Sequence, residues 1–185
     1  MGKSVLLFGP SGGLHILGYW KKAVRKPHSS DLDREILHSL DYFTLSWTER
    51  MVITKYKHSA LNELHKSPPY YILNRMGDLR TLTLIQCNNL PFILALDPWR
   101  NPSGHVLCPK LEELVIYVKT RGLFNITELM HMARERASRN VKLSLITIIG
   151  LGELIPGKEV FKLREHVARV EYRVEEESPR WDATN

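Results

Sequence analysis

A serine set among glycines after an apolar run is the residue pattern of a nucleophile, and Ser11 in Gly9-Pro10-Ser11-Gly12-Gly13 has it. The pentapeptide satisfies G-x-S-x-G, in which small neighbours let a strained strand-to-helix turn lift the hydroxyl above a sheet. Val5 to Phe8 supply the apolar run, so one reading is a small α/β hydrolase-like enzyme using Ser11. Its partners are not marked: His166 with a downstream carboxylate is a free choice, and only Met1 to Phe8 stand before the turn to provide oxyanion donors and further strands. Two phosphate-binding patterns fit less well. A phosphate loop needs a lysine to reach the phosphates, and none follows in the required place. The dinucleotide fingerprint wants a third glycine near where His15 stands. The plainest expectation is a strand followed by a Gly/Pro turn.

The chain that must position any such site has 185 residues, 43% hydrophobic and 25% charged, enough for one globular unit with its own core. A net charge of +6 permits acidic partners. The basic cluster Lys21, Lys22, Arg25 and Lys26, however, runs into Pro27-His28-Ser29-Ser30 and reads as a solvated segment, not as a nucleic-acid site. Cys87 and Cys108 form no C-x-x-C pair and the eight histidines lack metal-ligand spacing, so no metal, no cofactor and a reducing compartment are expected. No apolar run approaches the ~20 residues of a membrane span, and no signal-peptide cleavage region is evident. The expected location is intracellular, cytoplasmic or nuclear. Asn125-Ile126-Thr127, formally a glycosylation sequon, then reads as a helix cap.

The second half repeats itself. "LRTLTLIQCNNL" places Leu79, Leu82, Leu84, Cys87 and Leu90 on L-x-x-L-x-L-x-x-C-x-x-L, and the frame recurs as Leu111, Leu114, Ile116 and as Leu143, Ile146, Ile148. The starts at 79, 111 and 143 are spaced by 32 and 32, and a weaker copy, Val167, Val170, Tyr172, follows after 24. An earlier candidate is Leu40, Phe43, Leu45 in "LDYFTLSW". Each copy predicts a short strand with one side on a shared core, and each interval must return on the other side of it. The clearest return is "NITELMHMARERASR", where Ile126, Leu129, Met130, Ala133 and Ala137 share a helical face, Asn125 and Glu128 make a capping box, and Arg134, Glu135 and Arg136 fall on exposed positions. "PFILAL" predicts a short helix ended by Asp97-Pro98. "SALNELHK" and "PPYYILNRMG" predict two more, with Gly77 as the stop. The expected class is α/β, a leucine-rich-repeat-like solenoid of short parallel strands alternating with helices or irregular returns. It divides into an unassigned segment 1–30, the repeat domain 31–174 and an acidic tail 175–185, with Trp181 able to pack back as a cap.

From about Asp31 to Trp181 the chain resembles the fungal F-box/leucine-rich-repeat proteins, in particular their C-terminal leucine-rich portion. The resemblance is carried by "DLDREILHSLDYFTLSWTERMVITKYKH", "SPPYYILNRMGDLRTLTLIQCNNLPFILALDP", "CPKLEELVIYV", "ELMHMARERASR" and "GLGELIPGKEVFKLREHVARVEYRV". In that family F-box helices dock an adaptor of a cullin ubiquitin ligase while the repeats hold the substrate. The resemblance therefore implies substrate recognition without catalysis. No segment here is like the Leu-Pro-x-Glu start of an F-box, so adaptor contact is expected only where an F-box is supplied elsewhere.

Function on such a scaffold is expected on the residues between the core leucines, which point away from the core. The columns are Thr81, Thr83, Ile85; Glu113, Val115, Tyr117; Leu145, Thr147, Ile149; and Arg169, Glu171, Arg173. An aromatic and aliphatic face with charges at one end suits a protein partner, not a phosphate backbone or a membrane. The two readings differ at Ser11, which keeps ordinary nucleophilicity unless a histidine is held beside it. A fluorophosphonate probe is expected to leave the chain unlabelled; stoichiometric labelling abolished by Ser11→Ala would make the glycine turn an active site.

Overall fold

Apolar residues at alternate positions give strands with one core-facing side, and here the frame of that alternation also sets how the strands pair. The computed structural model describes residues 3–9, 12–18, 46, 48–54, 67–85, 87–101, 103–118, 124–151 and 157–175. The described strands are β1 (Lys3–Gly9), β2 (Gly12–Gly18), β3 (Arg50–Thr54), β4 (Thr81–Ile85), β5 (Glu113–Val118), β6 (Leu145–Leu151) and β7 (Arg169–Glu175). They form one sheet in the order β2-β1-β3-β4-β5-β6-β7. From β3 to β7 every pair is parallel, and helices α1 (Pro68–Asn74), α2 (Leu90–Leu96), α3 (Ile126–Ser138) and α4 (Gly157–Lys162) alternate with these strands. The α/β class expected from the sequence is therefore present. No helix among the described residues is long and apolar enough to cross a membrane.

The spacing of the repeats becomes strand register. Leu82 lies opposite Leu114, Leu114 opposite Ile146, and Ile146 opposite Val170, with Leu84, Ile116, Ile148 and Tyr172 forming the next row. Leu82, Leu114 and Ile146 are fully buried in one cluster with Leu73, Phe92 and Met132 from the helices, so the helical layer covers this side of the sheet. Backbone links repeat with the same frame. The Glu49 carbonyl accepts from the N–H groups of Arg80 (2.8 Å) and Thr81 (3.0 Å), that of Arg80 from Glu112 and Glu113 (both 2.9 Å), and that of Glu112 from Ser144 (2.8 Å) and Leu145 (3.0 Å). Side chains follow suit at the strand starts: Arg80 pairs with Glu112 and Lys110 with Asp78, both at 2.5 Å.

One expectation about this stack needs correcting. The strand beside β4 is β3, with Met51 opposite Leu82 and Ile53 opposite Leu84. Leu40, Phe43 and Leu45, which lie outside the described residues, do not supply it. The true first frame is Thr48, Met51, Ile53, and it escapes a leucine pattern because a threonine stands at its first position; Thr48 is nonetheless fully buried. Upstream, β1 pairs antiparallel with both β2 and β3, and Gly9 lies opposite Gly12. The opening stretch thus continues from one strand into another. A nucleophile elbow and a phosphate loop both need a helix after the turn, so this geometry removes the support of the hydrolase-like alternative; Ser11 itself is outside the described residues.

The returns obey local rules. Ser67 caps α1 by accepting the Tyr70 N–H at 3.4 Å, ahead of two prolines that need no such acceptor. The helix expected over "SALNELHK" falls outside the described residues. The chain does turn after Asp97, which ends α2. In α3, Asn125 accepts the Glu128 N–H at 3.2 Å, which is half of the expected capping box. The Glu128 carboxylate is instead taken by Arg100 at 2.8 Å. The buried stripe of α3 is Leu129, Met132, Ala133 and Arg136, turned from the expected one so that Ile126 and Met130 only flank the core.

Leu114 is fully buried between two neighbouring rungs. Leu114→Ala is expected to lower unfolding stability by about 2–5 kcal/mol in urea titration, because the cavity lies between layers that cannot collapse. A loss below about 0.5 kcal/mol would be that of a surface site and would contradict this packing.

Candidate binding face and its supports

Parallel register assembles the expected face row by row. Thr81, Glu113, Leu145 and Arg169 make the first row across β4 to β7; Thr83, Val115, Thr147 and Glu171 the second; Ile85, Tyr117, Ile149 and Arg173 the third. β3 extends the rows with Arg50, Val52 and Thr54, which the sequence reading did not include because it took the wrong segment for this strand. All these positions alternate with the core-facing ones and so share the side away from the helices.

Burial divides the face. Thr83 (8%), Ile85 (3%), Thr147 (2%) and Ile149 (2%) are buried and present no surface to a partner. Val52 and Ile85 form a small apolar cluster against which Tyr117 packs. Thr81, Glu113, Val115, Tyr117, Leu145 and Glu171 are half-buried, whereas Arg50, Arg169 and Arg173 are exposed. The accessible surface is thus the first row, Val115 and Tyr117 of β5, and the β7 flank.

The charges on it are largely paired. Glu171 bridges Arg169 and Arg173, the latter at 3.5 Å, and Glu113 accepts a hydrogen bond from the Thr81 hydroxyl at 3.4 Å. Burial raises the Tyr117 phenol above its ordinary range; Glu175 adds to the rise and Arg173 opposes it, so the ring presents a neutral O–H donor. Among the described residues no group of three or more His, Cys, Asp or Glu could hold a metal ion. What this surface can do chemically is bind, through an aromatic edge, aliphatic patches and oriented charges.

Behind the sheet, two features that sequence reasoning missed hold the scaffold. Arg136, expected on an exposed position, is fully buried, and its guanidinium donates to the carbonyls of Leu107 and Cys108 at 2.9 Å each. Arg139, the C-terminal cap of α3, donates to the Gly104 carbonyl at 2.6 Å. The loop between α2 and β5 carries carbonyls with no ladder to join, and α3 supplies the donors. Cys108 sits there with φ of 47°, its thiol 3.3 Å from the Leu73 carbonyl. The second feature is Asp97, 1% exposed in its side chain, which holds His131 Nδ1 at 2.8 Å and ties the end of α2 to α3. Arg136 was detectable as the fourth member of an i, i+3, i+4, i+7 stripe from Leu129. Its charge argued against that placement until the loop carbonyls were known.

Compared with protein-family models, with curated proteins and with solved structures, the chain matches none.

The Arg136–Cys108 contact has a pH signature. Burial pushes the Cys108 thiol from 9.0 up to about 12, with Arg136 opposing, and pushes the Arg136 guanidinium down to about 10, with Cys108 opposing. Between pH 9 and 12 the unfolded thiol has lost a proton that the folded one keeps, so stability falls as pH rises. Above about pH 10 the unfolded arginine holds a proton that the folded one gives up, so its contribution rises and opposes the thiol. The thiol therefore acts first, lowering stability as pH rises past 9, and the arginine opposes it once the pH passes about 10. Cys108→Ala is expected to abolish that step in urea denaturation followed at stepped pH. An identical fall in the variant would assign it to other groups.

Proposed function

We propose that the chain is a non-catalytic protein–protein interaction module, built as a leucine-rich-repeat-like solenoid, whose sheet face from β4 to β7 receives a protein partner. The observation that carries this reading is the register itself. Repeats of 32 residues put equivalent residues opposite one another, so the outward positions form straight rows while the inward ones form a continuous core. A face that offers Tyr117, Val115 and Leu145 beside Arg169 and Arg173 combines the aromatic, aliphatic and arginine groups that protein interfaces favour. A phosphate backbone would call for unneutralised cations, whereas Glu171 already shares both β7 arginines. No cofactor or metal enters this reading.

The resemblance to fungal F-box/leucine-rich-repeat proteins extends it. The chain then acts as the substrate-recognition part of an F-box type ubiquitin-ligase receptor in the cytoplasm or nucleus, with the ligase adaptor reached through an F-box supplied elsewhere. The sheet face is the substrate side, and the helical face carries the supports.

Photo-cross-linking tests the assignment. A benzophenone side chain placed at Tyr117 or at Leu145 is expected to capture a discrete protein partner in native extract, while one at Trp99, exposed in the segment that follows α2, captures none. Tyr117→Ala is expected to weaken recovery of that partner about tenfold. Adducts formed from Trp99 and absent from Tyr117 and Leu145 would move the interface off the sheet face.

A further inference from the structure

β7 is the last strand of the sheet, and among the described residues nothing pairs with its outer edge. A strand in that position presents a row of backbone donors and acceptors, a template for another strand. Cover on its core-facing side falls away along the strand: Val170 is buried in the core, Tyr172 packs partly against it, and Val174 is 49% exposed.

The sequence of this strand, Arg169-Val170-Glu171-Tyr172-Arg173-Val174-Glu175, is self-complementary about Tyr172. Set antiparallel against a copy of itself with Tyr172 opposite Tyr172, it places Arg169 opposite Glu175 and Glu171 opposite Arg173 on the open face. Val170 then falls opposite Val174 on the helical face. Every charged pair is attractive and every apolar pair is matched. A slip of two residues in either direction reverses this, setting Glu171 opposite Glu171 with Arg169 opposite Arg173, or Arg173 opposite Arg173 with Glu171 opposite Glu175. A parallel arrangement in register places each charge against its own kind. Slips of one residue exchange the two faces. Charges on an edge strand ordinarily deter pairing, but these admit one full-length register and oppose its neighbours.

We propose that the chain forms a two-fold homodimer through β7, the two edges pairing antiparallel to make one continuous sheet across both copies. The copies keep their helical layers on the same side, and Val174 of each is covered by Val170 of the other. The intrachain bridges from Glu171 to Arg169 and Arg173 are exposed and so cost little to exchange for equivalent ones across the axis. An isologous contact closes on itself and leaves no free β7 edge for further growth. The pairing uses the edge of the sheet and stands whether or not the face binds a partner protein.

Two experiments on the full chain test it. Directly opposed residues in an antiparallel pair have Cα atoms about 4.5–5.5 Å apart, inside the range of a disulfide. Because Cys87 and Cys108 are buried, Tyr172→Cys is expected to give a covalent dimer on mild oxidation, Val170→Cys alone none, and a mixture of Val170→Cys with Val174→Cys chains a heterodimer. In sedimentation equilibrium, Glu171→Arg is expected to weaken dimerisation about tenfold or more, and Glu171→Arg with Arg173→Glu on the same chain to restore it. Circular dichroism checks that each variant is folded. A wild-type chain that stays monomeric to its solubility limit overturns the proposal. So does a dimer indifferent to Glu171→Arg, or efficient cross-linking by Val170→Cys alone. Pairing of β7 with a strand of a different protein in place of a second copy would also overturn it.

Discussion

The parallel register of β3 to β7 is the constraint on which the remaining structure depends. Each strand is short, and the helices between them are shorter than an isolated helix needs to persist in water; α1 and α2 have 7 residues each and α4 has 6. None of these pieces is stable alone. Their positions are set because the apolar columns must coincide from rung to rung, and a shift of one residue would turn Leu82, Leu114 and Ile146 from the helical side to the open side. The paired links at Glu49, Arg80 and Glu112 reinforce the same frame from the backbone, since each carbonyl can receive both N–H groups only in that register.

A stack of this kind must also dispose of intervals of unequal length. The frame advances by 32 residues twice and then by 24, and the longer intervals contain material that the core does not order by itself. Between α2 and β5 that material is organised by polar groups. Asn101 gathers the Tyr70 hydroxyl at 3.1 Å and the Ser103 N–H at 3.2 Å, and it donates to the His105 carbonyl at 2.6 Å. Arg136 reaches in from α3 to hold Leu107 and Cys108. Burying a guanidinium is expensive unless its hydrogen bonds are made, and here the loop carbonyls of Leu107 and Cys108 take its two terminal nitrogens, the latter while also accepting the Leu111 N–H at 3.0 Å.

The same geometry separates two surfaces with different properties. The open face of the sheet is partly closed, with Ile85 and Ile149 buried and the first row accessible, so a partner would meet it toward the strand starts and the β7 flank. The outer edge of β7 is a different kind of surface, where backbone groups dominate and side chains select the register. Both arise from the alternation within one strand: odd residues of β7 carry the charges of the face, and even residues carry the apolar column that continues the core.

Much of this was legible in the residues. The frames beginning at Leu79, Leu111, Leu143 and Val167 name the opposed residues of β4 to β7, because a period-2 pattern repeated at constant spacing leaves one register that buries every apolar column. Proline and asparagine marked helix starts for local reasons that do not depend on the fold, whereas Gly77, expected as a stop, lies beyond the Arg75 cap that ends α1. Three things were not legible. Thr48-Met51-Ile53 lacks the leucines that identify a rung, and its membership follows only from pairing with β4. β1 is followed by a second strand, β2, and not by a helix, since a glycine-rich stretch permits either and the choice lies with the edge of β3 that β1 covers. Arg136 reads as a surface residue by its charge, and only the carbonyls brought to it by a loop 28 and 29 residues away make the interior the better place. By itself the sequence determined the class, the repeat frame and the composition of the outward face, all consequences of short-range periodicity. The tertiary structure alone decided which strand begins the parallel stack, how much of the face stays open and which polar groups belong inside, because each depends on partners that are distant in the chain.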